Sequence, residues 1–223
     1  MTKNYFIYVF FLLFSVNTAI SQDFSFGITA GVNFANLYSS NMPTEEYAKM
    51  KAGFHAGPMA QVRFSNLFAI QTELLYSQQG SKMEIPYIEI TPPGELGYSN
   101  TEPAANQTTI RGAKSKYDYL NLPVLAKFYV YKGLNAFAGP QVSLLLSAKD
   151  EYESEEVNVK EEIDAFDFGI LGGVGYELKM GLLLKASYYL GLNNISNINY
   201  KEALGYDPDL HQGVIQISAG YIF

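Results

Sequence analysis

One arrangement recurs eight times in this chain: apolar residues at alternate positions over nine to thirteen residues, interrupted only at Thr72 and Gly172, with no Asp, Glu, Lys or Arg among those positions. In the first segment Phe24, Phe26, Ile28, Ala30, Val32 and Phe34 share one face, and Ser25, Gly27, Thr29, Gly31, Asn33 and Ala35 share the other. The remaining apolar faces run from Ala52 to Phe64, Phe68 to Tyr76, Leu120 to Val130, Ala136 to Leu146, Phe166 to Tyr176, Leu182 to Leu192 and Ile215 to Phe223. Period two is the period of a strand. Globular strands hold about five or six residues, whereas a tilted strand needs about nine to eleven to cross a bilayer. The spacers alternate too, with short ones at Ser65 to Leu67, Tyr131 to Leu134 and Leu178 to Gly181, and long ones at 37–50, 80–115, 147–162 and 195–211. Up-and-down strands with tight turns at one end and long loops at the other predict an all-β fold, an eight-stranded antiparallel up-and-down transmembrane β-barrel.

Alternation alone does not say which face is wet, because a soluble up-and-down barrel turns the same apolar stripe inward around a ligand. Two features turn it outward here. Gly27, Gly31, Gly53, Gly57, Gly139, Gly169, Gly173 and Gly175 all fall on the polar face. Glycine weakens a strand and gains nothing facing water, but small residues suit the crowded lumen of a narrow barrel. The apolar face, for its part, carries no charge at all, as lipid exposure demands. Its aromatics also divide between two ends: Phe24, Phe26, Phe64, Phe68, Phe128, Tyr176, Tyr221 and Phe223 near the short turns, and Phe34, Phe54, Tyr76, Phe166 and Phe168 near the long loops. Two aromatic girdles mark two membrane interfaces.

Composition agrees once the pattern is known. Hydrophobic residues make up 48% of the 223, yet outside the first twenty there is no apolar run long enough for a spanning helix. The absence of cysteine excludes disulfide frameworks, thiolate metal sites and thiol catalysis. The N-terminus has Lys3, an apolar stretch from Tyr5 to Val16, and Ala19-Ile20-Ser21, the pattern of a secretory signal peptide over residues 1–21. Cleavage before Gln22 leaves a barrel domain at 22–223, in which 14 basic and 22 acidic residues give a net charge of -8. That charge excludes nucleic acid as a partner.

The segments Phe26-Gly27-Ile28, Gly31-Val32-Asn33-Phe34, Tyr119-Leu120-Asn121-Leu122-Pro123-Val124-Leu125-Ala126-Lys127, Ala138-Gly139-Pro140, Phe166-Asp167-Phe168-Gly169, Gly172-Gly173-Val174-Gly175-Tyr176-Glu177 and Tyr188-Tyr189-Leu190-Gly191-Leu192, with the terminal Phe223, are also familiar. Together they resemble the PorT-like outer-membrane β-barrel family of Bacteroidetes over the whole mature chain. The Tyr119 to Lys127 stretch is the most specific of them. The resemblance implies the barrel fold and a cell outer membrane address, and it admits an accessory role in type IX protein secretion. By analogy with outer-membrane barrels generally, the closing strand from Ile215, with Ile217, Tyr221 and Phe223 on its apolar face, looks like a signal for the barrel-assembly machinery.

Chemistry-bearing residues are few. The polar face carries Arg63, Glu73, Lys127, Asp167, Glu177 and Lys185, a near-balanced set that reads as a structural charge network plugging the lumen, together with His55. His55 and His211 both fall toward the long-loop end, but no serine motif accompanies them as a lipid-modifying enzyme would need, so no catalytic residue and no cofactor or metal is expected. The run Lys149 to Glu156 is the densest in charge; its spacing matches no calcium loop, and it reads as a solvated acidic loop. The expected function is non-enzymatic and structural, set in outer-membrane lipid and lipopolysaccharide, with loops 80–115 and 147–162 available to a protein partner.

Overall fold

Each alternating segment is a strand, and the strands close on themselves. The structure, a computed structural model, describes residues 23–39, 48–88, 108–152, 155–197 and 209–223. The signal peptide expected at 1–21 lies outside the described residues. The strands are β1 (Asp23–Ser39), β2 (Ala48–Arg63), β3 (Phe68–Glu73), β4 (Leu75–Ile88), β5 (Thr108–Tyr131), β6 (Leu134–Tyr152), β7 (Glu155–Asn158), β8 (Phe166–Glu177), β9 (Leu182–Gly191) and β10 (Leu210–Ile222). Every pairing is antiparallel, and β10 lies against β1 from Gly27↔Ile222 to Ser39↔Leu210, which removes the free edge. The third segment is split into β3 and β4, and β7 occupies the place above β8 against β6, so ten segments make eight staves.

Burial follows the alternation along each stave. In β9 the pattern is strictly exposed then buried from Leu182 to Gly191. Phe26, Ile28, Phe128 and Ile217 stand exposed on the outside, where lipid covers them, while Asn33, Gln71, Asn121 and Asp167 are wholly buried inside. The lumen is not purely polar, however. Leu125, Phe137, Leu171, Tyr189, Val214 and Ala35 form an apolar cluster within it. Alternation with polar residues had marked these positions only as the non-lipid face.

Two of the long connections are shorter than expected. Loop 80–115 is replaced over much of its length by paired strand, because β4 and β5 continue together from Leu75↔Asn121 as far as Ile88↔Thr108. Loop 147–162 is likewise taken up by β6 running to Tyr152 and by β7 folding back on it. In this stretch both faces meet water, so the apolar alternation that identifies the spanning strands stops while the hydrogen-bonded ladder goes on. The result is a ribbon of β4, β5, β6 and β7 that projects past the apolar belt.

The split at Leu74 has a local cause, and the same device occurs twice. Leu74 stands opposite Pro58, which accepts a hydrogen bond from the Leu74 amide at 3.0 Å but has no N–H to return. The spare Leu74 carbonyl instead sits against Gly57, where a Cβ would approach it to 1.9 Å. On the far wall Pro140 stands in register with Val124, and a Cβ at Gly139 would again approach the Val124 carbonyl to 1.9 Å. A Gly-Pro pair thus lets one strand close tightly on its neighbour where the ladder lacks a donor. Gly139→Ala should therefore lower stability by about 1–3 kcal/mol. Gly172→Ala should not, because its Cβ would find nothing nearer than 3.8 Å. Urea unfolding midpoints of the two variants in lipid vesicles check this, and equal midpoints would contradict the steric account.

Candidate functional site: the filled lumen

Five of the six expected lumen charges meet near the short-turn end. Glu177 of β8 receives Arg63 of β2 at 2.5 Å and Lys127 of β5 at 3.4 Å. Lys185 of β9 reaches across to Glu73 of β3. Amides and a phenol tie the two pairs together: Lys127 donates to Gln61 at 2.8 Å and to Gln71 at 2.9 Å, Gln71 donates to Glu73, and the Tyr129 hydroxyl donates to Glu177 at 2.7 Å. The Arg63 guanidinium lies over the Tyr129 ring at 4.2 Å. Charges this deep persist only when paired and hydrogen-bonded, and here one connected network meets that demand. Below it a vestibule of about 1280 Å³ opens between the turns, lined by Arg63, Tyr129, Lys132, Glu177 and Lys179.

Asp167 is not part of that network. It sits ten residues above Glu177 on β8, about 33 Å along the strand, and accepts a hydrogen bond from Tyr189 at 2.9 Å. The spacing already puts both carboxylates on the inward face of one strand, ten residues apart, and that separation keeps Asp167 out of the network the sequence had grouped it with.

Between these levels lies a constellation the sequence did not reveal. Asn33 of β1, His55 of β2 and Ser218 of β10 line up across the lumen, with His55 Nδ1 2.7 Å from Asn33 Oδ1 and His55 Nε2 2.8 Å from Ser218 Oγ. The Asn33 amide nitrogen donates to Ser77 Oγ at 3.0 Å and to the Gln78 carbonyl at 2.9 Å, which leaves its oxygen as acceptor. The imidazole therefore donates from Nδ1, and its Nε2 accepts from Ser218. The order of groups is that of a nucleophile, a base and an orienting amide. Yet Ser218 and His55 are buried, and the ring rests on Gly31, where a Cβ would lie 2.7 Å from Cε1. The hydrogen bonds of this arrangement join four staves, β1, β2, β4 and β10. His55 stands opposite Gly31, next to Phe54 of the long-loop girdle. His211 is elsewhere: it stacks on Tyr38 at 5.5 Å and meets Asp209 at 3.0 Å.

The outer mouth is shut by apolar side chains. After β7 the chain turns through a short 3-10 segment, Lys160–Glu162, and dips inward before β8 begins. Val159 and Ile163 from this dip, with Ile195 from the next connection, pack on Tyr117, Tyr119, Leu145 and Ala148. Backbone bonds hold the two connections together: Asp164 to the Ile195 carbonyl at 2.8 Å, Asn197 to the Glu162 carbonyl at 2.8 Å, and Ile195 to the Leu210 carbonyl at 2.9 Å. Isolated branched apolar residues in otherwise polar loops were the available sequence signal.

The acidic run at 149–156 is also not a loose loop. Glu156 takes hydrogen bonds from Lys149 at 2.9 Å and Lys116 at 3.0 Å, which hold its carboxyl down to about 2. Among the described residues no group of three His, Asp or Glu forms a metal site.

The inner network makes a stability prediction. Glu73→Gln strands Lys185 without a counter-charge and should cost about 3–5 kcal/mol, whereas Glu73→Gln combined with Lys185→Met should recover most of it. Urea titration of the refolded barrel measures both, and a double variant no more stable than the single one would refute the pairing.

Comparison with known proteins places this geometry. Residues 20–197 match the family described as outer membrane protein beta-barrel domain. No curated protein matches the chain. Among solved structures, Neisserial surface protein A is similar over 90% of this chain and 99% of its own, at 15% identity and a TM-score of 0.50. Ail, the attachment invasion locus protein of Yersinia pestis, aligns over 90% of this chain and 99% of its own, at 13% identity and a TM-score of 0.43. OprG from Pseudomonas aeruginosa aligns over 89% of this chain and 95% of its own, at 12% identity and a TM-score of 0.41. A closed eight-stave barrel with a lipid-facing apolar wall and a family match spanning most of its length belongs to the outer membrane protein beta-barrel domain family and resides in the outer membrane.

Proposed function

We propose that this chain is a non-enzymatic surface barrel that acts through what it projects outside the cell and not through its lumen. The observation that carries the reading is the closed lumen beside an overlong wall. The charge network, the Asn33, His55 and Ser218 pin and the Val159, Ile163 and Ile195 plug follow one another along the axis. Meanwhile β5 has 24 residues, more than twice what crossing needs. The β4–β7 ribbon so formed is held rigid by its ladder and offers a preformed surface to a protein partner. An accessory role in secretion, drawn from the PorT-like likeness of Tyr119 to Lys127, is the second reading; a deletion strain that releases its secreted proteins normally would remove it.

The closed lumen is tested by reconstituting the full chain in liposomes. The wild type should admit neither sugars nor amino acids in a swelling assay. Swelling at a rate comparable to a porin would overturn a role that does not use the lumen.

Assembly offers a separate test. Phe223 stands at the closing seam, with its amide bonded to the Phe26 carbonyl at 2.8 Å and its ring 5.6 Å from that of Tyr221. If the barrel-assembly machinery reads this end, Phe223→Asn should reduce folded barrel in the membrane several-fold while refolding in vitro stays close to normal. Unchanged yield and heat-modifiable gel mobility in cells would remove the signal.

A further inference from the structure

One lumen carboxylate is left out of the charge network. Asp167 of β8 is wholly buried. Its Oδ2 accepts from the Tyr189 hydroxyl at 2.9 Å, and its Oδ1 has no hydrogen-bond partner among the described residues. The Phe168 amide beside it is taken by Asn193 Oδ1 at 2.8 Å. Among the described residues no basic side chain makes an ion pair with Asp167. His211 is close enough to act on it electrostatically, but that ring stacks on Tyr38 and is held by Asp209 at 3.0 Å.

The groups around Asp167 are short of partners too. The register sets Asp167 opposite Ser143 of β6 and Ser143 opposite Asn121 of β5, so the three form one inward row. Asn121 is wholly buried, and both polar atoms of its amide are unpartnered. Gln212 of β10 closes the row from the other side. A Cβ on Gly191 would lie 3.0 Å from the Gln212 backbone nitrogen and 3.5 Å from Asp167 Oδ1. The Gln212 side-chain amide stands beside the Tyr119 hydroxyl, and both are buried without a hydrogen bond of ordinary length. Buried polar atoms are ordinarily satisfied, so a cluster of orphans around a carboxylate marks a bound guest.

Apolar layers seal this row above and below. Leu171 and Leu125, four residues below Asp167 and Asn121, and Val214, two below Gln212, belong to the apolar cluster of the lumen. Tyr119 and Leu145, two above Asn121 and Ser143, belong to the plug. In such a layer water can satisfy an amide but cannot cancel a full negative charge. The donor set narrows the guest further. Carboxylate, side-chain amide and phenol oxygens are the ligands of a hard cation. A single carboxylate supplies one negative charge, which one alkali-metal ion balances and a divalent ion exceeds.

We propose that Asp167 Oδ1, with the amide oxygens of Asn121 and Gln212 and the Tyr119 hydroxyl, binds an alkali-metal cation beneath the plug. The ion neutralises the buried carboxylate and joins β5, β8 and β10 at the level of the long-loop girdle, where Phe166 and Phe168 flank Asp167. Its role is structural, and the proposal stands whether or not the ribbon meets an external partner.

The test is urea unfolding of the full chain in lipid vesicles as sodium or potassium replaces tetramethylammonium at fixed ionic strength. An ion that binds only the folded barrel raises the midpoint by mass action; above its Kd, each tenfold rise in the ion adds about 1.4 kcal/mol, roughly half a molar of urea. The wild type should show that shift. Asp167→Asn, which keeps the shape and an acceptor for Tyr189, should abolish it, and Gln212→Met should move it to higher ion concentration. Glu151→Gln, which removes a carboxylate from the ribbon, should leave it unchanged. A wild-type midpoint that is the same in sodium, potassium and tetramethylammonium assigns the neutralising charge to a proton and overturns the proposal. A shift that survives in a folded Asp167→Asn variant overturns it as well. So does a wild-type midpoint that falls on adding a chelator of divalent ions, which would assign the site to calcium or magnesium.

Discussion

A backbone inside lipid has no water to satisfy it, and every other property of this barrel is arranged around that constraint. Each N–H and C=O in the hydrocarbon layer needs a partner within the protein. The pairing of β10 with β1 from Gly27↔Ile222 to Ser39↔Leu210 supplies it for the two strands that would otherwise be edges. Among the described spanning strands Pro58, Pro123 and Pro140 have no N–H to give, and two of them, Pro58 and Pro140, follow a glycine. At both, the preceding glycine draws the neighbouring carbonyl close, where a Cβ would stand only 1.9 Å from it. Pro58 and Pro140 point outward into lipid, where their rings fit, and Gly57 and Gly139 point inward, where nothing larger would.

Closing eight staves leaves a lumen that side chains can fill, and the filling is graded along the axis. Charged groups gather where the barrel opens on the short-turn vestibule and water is near. Hydrogen-bonded neutral groups, Asn33, His55, Ser77 and Ser218, take the middle. Apolar residues close the top, where Val159, Ile163 and Ile195 fold in from the connections. This order places full charge where its desolvation costs least, and apolar contact where two loops must be held without a continuous ladder.

The sequence made the staves legible because the lipid face is written without exception. The alternate positions from Phe24 to Phe34 or from Leu182 to Leu192 admit no charged residue, and that alone fixes which face each residue takes. Where lipid ends, so does the signal. Lys114, Lys116 and Glu151 lie on strands as regular as those below, yet polar residues on both faces carry no period, and the ribbon read as loop. Contacts across the lumen were illegible for a different reason. Glu73 meets Lys185, and Asn33, His55 and Ser218 align, only through strand registers that alternation leaves undetermined.

Those cross-lumen charges explain how so regular a pattern avoids ambiguity. A barrel with an apolar lumen would present two similar faces, and a one-residue slip of any strand would exchange them at little cost. Here a slip of β5 would turn Lys127 out to lipid and Val124, Ala126 and Phe128 in; a slip of β9 would do the same with Lys185. A lysine on the lipid face costs up to about 2–4 kcal/mol at the midplane and less toward the interface, and the carboxylate it leaves behind loses its partner as well. Glu177 adds a further condition, since it must reach Arg63 of β2 and Lys127 of β5 together, two strands that are not neighbours of its own. The network therefore does more than fill space: it is satisfied only when the facing of β2, β3, β5, β8 and β9 is correct at once, and it selects one register from the many that hydrophobic alternation would tolerate.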